Sequence, residues 1–330
     1  PRKTTQAKWE TKNLFARFRI TDKVIKAARS NVGAFANLLE QEIADCEEDA
    51  KKDLSRQAVG DGQGILAEIN DSPSGSGNLV LPVSSTMFLC EGMLIDVCTT
   101  LGTPKNTNAV EIVIVDEASS TITVAHKNNG SWSSAPAQND YIVVHGNSVA
   151  PGAEPKELTG LAAVMDPQGA TLYGITLATN KWLLAKRINV NGQLSEMHIQ
   201  HAIDYADVAA GTDSGFIICS HGVRRAYLNL MASMKQFSNT LELKGGWTAL
   251  SYNNIPLVAD RFIAAGKMYV LDLNDWRMYQ LGDYDWLDRD GAMLSRVANK
   301  AAYEATLVKY CDIGCRKPRG QVELYGITEH

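Results

Sequence analysis

The chain has 330 residues, 45% of them hydrophobic, and a formal net charge of −5. That length and apolar content can bury a real core and divide into two or three lobes. A chain basic throughout is excluded, and no run approaches the roughly 20 apolar residues of a membrane span. Charge is nonetheless uneven. Arg2, Lys3, Lys8, Lys12, Arg17, Arg19, Lys23, Lys26 and Arg29, against Glu10 and Asp22, give residues 1–29 a net +7 and leave −12 for the remainder. Such an arm either binds an anionic partner, including another copy of the chain, or is kept soluble by its charge. No signal peptide is visible. The first residue is Pro1, so we expect loss of an initiator Met or of a longer leader.

Residues 12–20 alternate partly and read as a strand, and Thr21-Asp22 can cap a short helix through Ala28. A long helix follows. Its apolar residues Phe35, Leu38, Leu39, Ile43, Cys46, Ala50 and Leu54 recur at three- and four-residue steps and form one stripe. The opposite face carries Glu40, Glu42, Asp45, Glu47, Glu48, Asp49 and Asp53, with Glu47–Lys51 and Glu48–Lys52 in the favoured order four residues apart. The helix stops at Gly60-Asp61-Gly62-Gln63-Gly64. Because this glycine run follows a helix C-terminus, it reads as a cap and turn and not as a phosphate loop.

Residues 70–77 form a loop, and strand-like pieces then follow at 79–83, 93–98, 110–115, 121–125 and 141–145. These predict a compact β unit between loops at 70–77 and 147–156, its joints marked by Pro, Gly, Ser and Asn. The second half is mixed. Helices are expected at 193–209, with Ser195 a possible N-cap, and at 222–233, with Val223, Tyr227, Leu230 and Met231 inward. Strands are expected at 216–219, 249–252, 255–258, 268–273, 305–310 and 321–327.

Few residues point to chemistry. The six cysteines are scattered, and the Cys311–Cys315 pair has no second pair beside it, which argues against zinc. His198 and His201 lie a turn apart on a helix without an obvious third ligand and read as surface histidines. Asp283, Asp285, Asp288 and Asp290 resemble a calcium loop only in part, since the required Gly and Glu are missing. A solvated loop is preferred. No nucleophile elbow, Walker loop or dinucleotide fingerprint is present. No catalytic, cofactor-binding or metal-binding residue is assigned.

The helix entered from a strand and ended by the Gly60–Gly64 turn resembles the spine helix of tailed-bacteriophage major capsid proteins, the Hong Kong 97 (HK97-like) fold. The resemblance continues through Phe216-Ile217-Ile218-Cys219, Asn254-Ile255-Pro256-Leu257-Val258-Ala259, Gly266-Lys267-Met268-Tyr269-Val270 and Asp275-Trp276. It covers residues 12–68 and about 160–327, and its weight lies in the order and spacing of the motifs. Residues 301–326 are similar to the pair of elements that closes the peripheral domain. The family also has an outgoing strand of its extended loop ahead of the spine helix. Only about 30 residues stand there, so no crosslinking chemistry is carried over.

The resemblance implies an α+β HK97-like capsid fold with an inserted all-β domain. Its segments are a basic arm and returning strand (1–30), spine helix and turn (31–69), β insert (70–150), linker and peripheral segment (151–194), axial domain (195–282) and a return to the peripheral domain (283–330). It implies a major head protein that self-assembles in the host cytoplasm into an icosahedral shell of hexamers and pentamers. Double-stranded DNA would lie inside without sequence-specific binding, and scaffold, portal and decoration proteins would be possible partners. A nanocompartment shell of the same fold and a metal-dependent enzyme built on the 283–290 loop remain as alternatives. Contacts between copies are expected from Lys8, Lys12, Arg17 and Arg19 to Glu40, Glu47, Glu48 and Asp49. In the competing reading these acids are satisfied by Lys51, Lys52 and Arg56 of their own helix.

Overall fold

A computed structural model of the chain describes residues 6–28, 32–75, 77–148, 155–167, 171–233, 240–243, 247–288, 291–298 and 300–329. The chain divides into two compact units, Gly60–Lys181 and the combination of Pro1–Val59 with Trp182–His330.

In the discontinuous unit, the Lys12–Thr21 strand runs antiparallel to the Ala302–Cys315 strand, in register from Lys12↔Cys311 to Thr21↔Ala302. The Trp276–Gln280 strand pairs on the other edge of Ala302–Cys315. Alternation in the arm strand is physical. Leu14, Phe18 and Ile20 are buried, whereas Phe15, Arg17 and Arg19 are exposed. Phe18 and Ile20 pack with Leu39, Ile43 and Cys46 of the long helix Val32–Val59 and with Trp286, so the helix lies on one face of this sheet. The expected helix stripe is recovered from Leu38 to Leu54. The Phe35 side chain lies outside the described residues.

The same unit holds a second, seven-stranded mixed sheet. Its order is Lys186–Gly192, Val322–Ile327, Met268–Leu271, Phe216–Cys219, Ile255–Ala259, Trp247–Tyr252, Thr240–Leu243. Helices Glu196–Ala210 and His221–Ser233 supply Ile199, Ala202, Val223 and Tyr227 to its core, against Ile217, Met268 and Val322. Ser195 precedes the first helix, and its backbone N–H donates to Nδ1 of His198 at 3.3 Å. His198 is thus a half-buried part of the helix start, while His201 is exposed.

The expected segments 195–282 and 301–326 share their strands with the rest of the unit. The sheet attributed to 195–282 recruits Lys186–Gly192 and Val322–Ile327 from the neighbouring segments. The strands within 301–326 do not pair with each other, because Ala302–Cys315 joins the arm strand and Val322–Ile327 joins the other sheet. Residues 316–321 separate the two strands through a turn beginning at Pro318, so they belong to different ladders.

The Gly60–Lys181 unit contains all five strands expected between 79 and 145, at Leu79–Pro82, Leu94–Thr100, Val110–Asp116, Thr121–His126 and Tyr141–Val144. A sixth, Ile65–Glu68, pairs with Tyr141–Val144. The Ile69↔Val83 bridge, with Ser84 N–H donating to the Glu68 carbonyl at 2.8 Å, joins this strand to the end of Leu79–Pro82. The ladder therefore closes on itself as a barrel, which removes free sheet edges. Its interior is dry, with Ile69, Leu81, Ile95, Ile112, Ile122 and Ile142 at 0% exposure. The expected joint at 70–77 is instead part of the barrel, since Ser74 bridges Val80 and Asn70 N–H donates to the Pro82 carbonyl. The β unit begins at Ile65, five residues before the expected boundary at 70. Of the linker at 147–156, residues 149–154 lie outside the described residues.

The glycine turn behaves as its position after a helix dictates. The long helix ends at Val59, Gly62 and Gly64 take φ of +80° and +72°, and Asp61 accepts the Gln63 N–H at 3.0 Å. A Cβ on Gly62 would lie 3.1 Å from the Leu158 carbonyl, so both space and conformation favour glycine.

Candidate assembly surface

Side chains alternate across the arm strand, so the residues beside Phe18 and Ile20 point away from the helix. Phe15, Arg17 and Arg19 therefore line the outer face of the sheet. Phe15 is 59% exposed and meets Tyr310 edge-on, with ring centroids 6.4 Å apart. Arg17 and Arg19 both reach Glu304 on the adjacent strand, at 3.2 and 2.9 Å. The Arg19 hydrogen bond, joined by the charges of both arginines, holds the Glu304 carboxyl below its usual range. Glu304 was not foreseen as their partner. Only the register Arg19↔Glu304 discloses it, and register is invisible to local periodicity. Lys8 is exposed and Lys12 half-buried at the start of the strand.

The four acids expected to receive these cations do not form one uniform face. Glu40, Glu48 and Asp49 are exposed, but Glu47 is half-buried. Trp286 Nε1 donates to Glu47 at 3.4 Å, and Lys51 approaches it at 3.7 Å. Lys52 bonds Glu48 at 2.9 Å and lies 3.9 Å from Asp49. That hydrogen bond lowers the Glu48 pKa and raises that of Lys52. Arg56 pairs with Asp53 at 2.9 Å. Within one chain the basic and acidic sets are not brought together. Arg17 and Arg19 are held by Glu304 on the face away from the helix, while Glu47, Glu48 and Asp49 have Lys51 and Lys52 of their own helix.

Among its described residues the 283–290 loop brings no ligand set together. Asp283 is bound by the buried Lys309 at 3.1 Å, Asp285 and Asp288 are exposed, and Asp290 lies outside the described residues. Among the described residues there is no group of three or more His, Cys, Asp or Glu side chains able to hold a metal. Burial raises the Cys219 and Cys315 thiols to about 12, as expected of inert core cysteines. No described helix is long and apolar enough to cross a membrane.

Sequence reasoning also missed two features that rigidify the unit. Tyr284 donates its hydroxyl to the Ala50 carbonyl at 2.9 Å, tying the 283–288 loop to the long helix. Glu323 is fully buried between Arg187 (2.5 Å) and Lys267 (3.0 Å). Alternation within Val322–Ile327 puts Glu323 on the face opposite Val322 and Leu324, so neither its burial nor its partners could be read from the sequence.

No family model and no curated protein matches the sequence. Solved structures do. The chain is 12% identical to a cyanophage A-1(L) capsid protein, with 96% of this chain and 78% of that one covered and a TM-score of 0.52. It is 9% identical to a protein of the satellite phage P4 procapsid over 100% of this chain and 80% of that one, with a TM-score of 0.43. It is 13% identical to the SrpI encapsulin of Synechococcus elongatus PCC 7942, with 44% of this chain and 55% of that one covered and a TM-score of 0.35. The cyanophage match carries the assignment, because it extends over nearly the whole chain at the highest of these scores. With its mixed helices and sheets in this order, the chain has an HK97-like capsid fold.

Proposed function

We propose that the chain is a shell-forming protein, the major capsid protein of a tailed phage, whose copies tile a closed icosahedral head around double-stranded DNA. The observation that carries this reading is the alignment of 96% of the chain with a cyanophage capsid protein. In this reading the Val32–Val59 helix is the spine, the barrel is an inserted unit, and hexamers and pentamers form by repeated contacts between copies. The exposed Phe15, Arg17 and Arg19 face is offered to a neighbour, whose Glu40, Glu48 and Asp49 supply the opposite charge. An acidic remainder suits a wall that confines DNA without gripping it, since tight DNA binders concentrate Lys and Arg. Scaffold, portal and decoration proteins are partners of the same assembly, which is built in the host cytoplasm.

Sedimentation of the purified full chain, followed by electron microscopy, tests the proposal. Large closed particles are the expected result, and a lasting monomer or dimer at every salt and protein concentration overturns it. Particles isolated from the native source should contain double-stranded DNA. A protein cargo without DNA would replace the phage reading with a nanocompartment of the same fold.

A further inference from the structure

The chain passes directly between the two sheets of the discontinuous unit after Leu271 and again after Cys315. The first crossing leaves Met268–Leu271 of the seven-stranded sheet and turns through Leu273–Asp275 into Trp276–Gln280, beside Ala302–Cys315. The second leaves Ala302–Cys315 and turns through Pro318–Gly320 into Val322–Ile327 of the seven-stranded sheet. The two crossings are tied to each other. Arg316 N–H donates to the Asp275 carbonyl at 2.8 Å. The fully buried Gln321 side chain accepts from Asp272 N–H at 3.0 Å and from Trp276 Nε1 at 3.2 Å, and its amide donates to the Lys317 carbonyl at 3.4 Å. These bonds come from neutral groups and do not change with pH. Asp275 lies in the same junction and can change. It is 7% exposed, and its Oδ2 is buried with no hydrogen-bond partner among the described residues. Of the charged groups around it, Lys317, Arg316 and Arg277 favour its ionised form and Asp272 opposes it. Burial outweighs the cations and holds the carboxyl above its usual value of 3.8. The Cys315 thiol also feels Asp275, but it is pushed up to about 12 and stays protonated at acidic and neutral pH.

We propose that Asp275 is a proton-operated fastener of the two crossings, tight when its carboxyl is protonated and looser when it is ionised. A carboxylate with a buried oxygen and no donor keeps its desolvation cost. Opening the junction lets water reach that oxygen and relieves the cost, whereas protonation removes it. The closed junction therefore holds the proton more tightly than the opened one. Closure is favoured as pH falls toward the usual carboxylate range and weakens as pH rises through the folded value. This is the reverse of Glu304, whose carboxyl is held below its usual range. The two sheets are thus coupled more firmly in acid than at neutral pH.

The test is hydrogen exchange of the full chain, read by mass spectrometry on peptides covering 272–277 and 316–321. Protection of these amides reports local opening of the junction once the intrinsic pH dependence of exchange is divided out. In the parent chain, protection should rise severalfold between about pH 7 and about pH 4.5, close to the usual carboxylate range. A barrel peptide around Ile122 serves as the reference for the pH response of the rest of the molecule. Asp275→Asn keeps the shape without the charge, so it should show the higher protection already at pH 7 and lose the rise. Asp275→Ala removes the orphaned oxygen and should lose the rise as well, which keeps the test decisive if the Asn chain does not fold. No rise in the parent beyond that of the barrel peptide, or the same rise in the variants, would overturn the fastener. Protection of Asp275→Asn at or below the parent's at pH 7 would also overturn it.

Discussion

The barrel and the helix-covered sheet bury their apolar side chains to very different degrees. The barrel closes its own ladder and buries thirteen hydrophobic residues in one cluster, none above 6% exposure. Among the described residues, the cluster under the long helix has Phe18, Ile20 and Ala305 as buried members, with Ile43, Cys46, Trp286 and others half-covered. The helix and its sheet leave charged and aromatic side chains on both outer sides and hold much of their surface in exposed ion pairs. Exposed pairs contribute only about 0–1 kcal/mol each. Stability in one region comes from a dry core, whereas the other leaves more of its apolar surface half-covered.

The largest expected effect lies in the barrel. Ile112→Ala should cost about 2–5 kcal/mol in urea unfolding, because the side chain is wholly buried among β-branched neighbours. Ile43→Ala on the half-covered helix stripe should cost clearly less, about 1–2 kcal/mol. Equal losses would break the contrast.

Next is the barrel's buried carboxylate. Asp96 accepts hydrogen bonds from Asn106 Nδ2 at 2.7 Å and Gly146 N at 2.9 Å, with His145 Nδ1 at 2.8 Å. Asp96→Ala removes an acceptor of the buried Asn106 amide, while the exposed His145 and Gly146 can turn to water, and should cost about 1–3 kcal/mol, read from the thermal midpoint.

A smaller effect concerns pH. His126 is partly buried against Trp132, ring centroids 4.6 Å apart, and its ring nitrogens have no hydrogen-bond partner among the described residues. Burial lowers its pKa below the usual value of 6.5. The unfolded chain then binds the proton more readily, so stability contributed by neutral His126 is present above pH 6.5 and lost as pH falls through the folded value. The nearby Glu111–Lys127 pair, 2.8 Å apart, is already satisfied. A His126→Phe chain should show a flatter stability profile between pH 7 and 5, measured by urea titration. An unchanged slope would count against the assignment.

The smallest effect belongs to the outer sheet. Glu304 has a lowered pKa, so its contribution is present above the unfolded carboxylate value and lost as pH drops through the folded one. Glu304→Gln should remove about 0.2–1 kcal/mol at pH 7, with the difference shrinking as pH falls below the usual carboxylate range and as salt is added.

Much of the fold was legible because periodicity is local. The apolar stripe from Leu38 to Leu54 located the long helix, and the β-branched runs located five barrel strands within a few residues. What escaped depended on partners far along the chain. Ile65–Glu68 looks like the tail of a glycine turn until Tyr141–Val144 pairs with it. Lys186–Gly192 alternates only over the four residues Ile188-Asn189-Val190-Asn191, and its place in the sheet comes from Val322–Ile327 lying alongside. The candidate surface was legible only as charge. The sequence shows that Arg17 and Arg19 are basic and that Glu47 lies on an acidic helix. It does not show that Glu304 meets the first two or that Trp286 covers the third.

Cryo-electron microscopy of particles assembled from the full chain tests the central claim most directly. The account predicts a closed shell with one copy of this fold at every position. The Val32–Val59 helix would lie on one face of the sheet that holds the arm strand, and the Phe15, Arg17 and Arg19 side chains on the other face would be buried against a neighbouring copy. A chain that never forms closed particles, or a shell in which that face stays open to solvent, would contradict it.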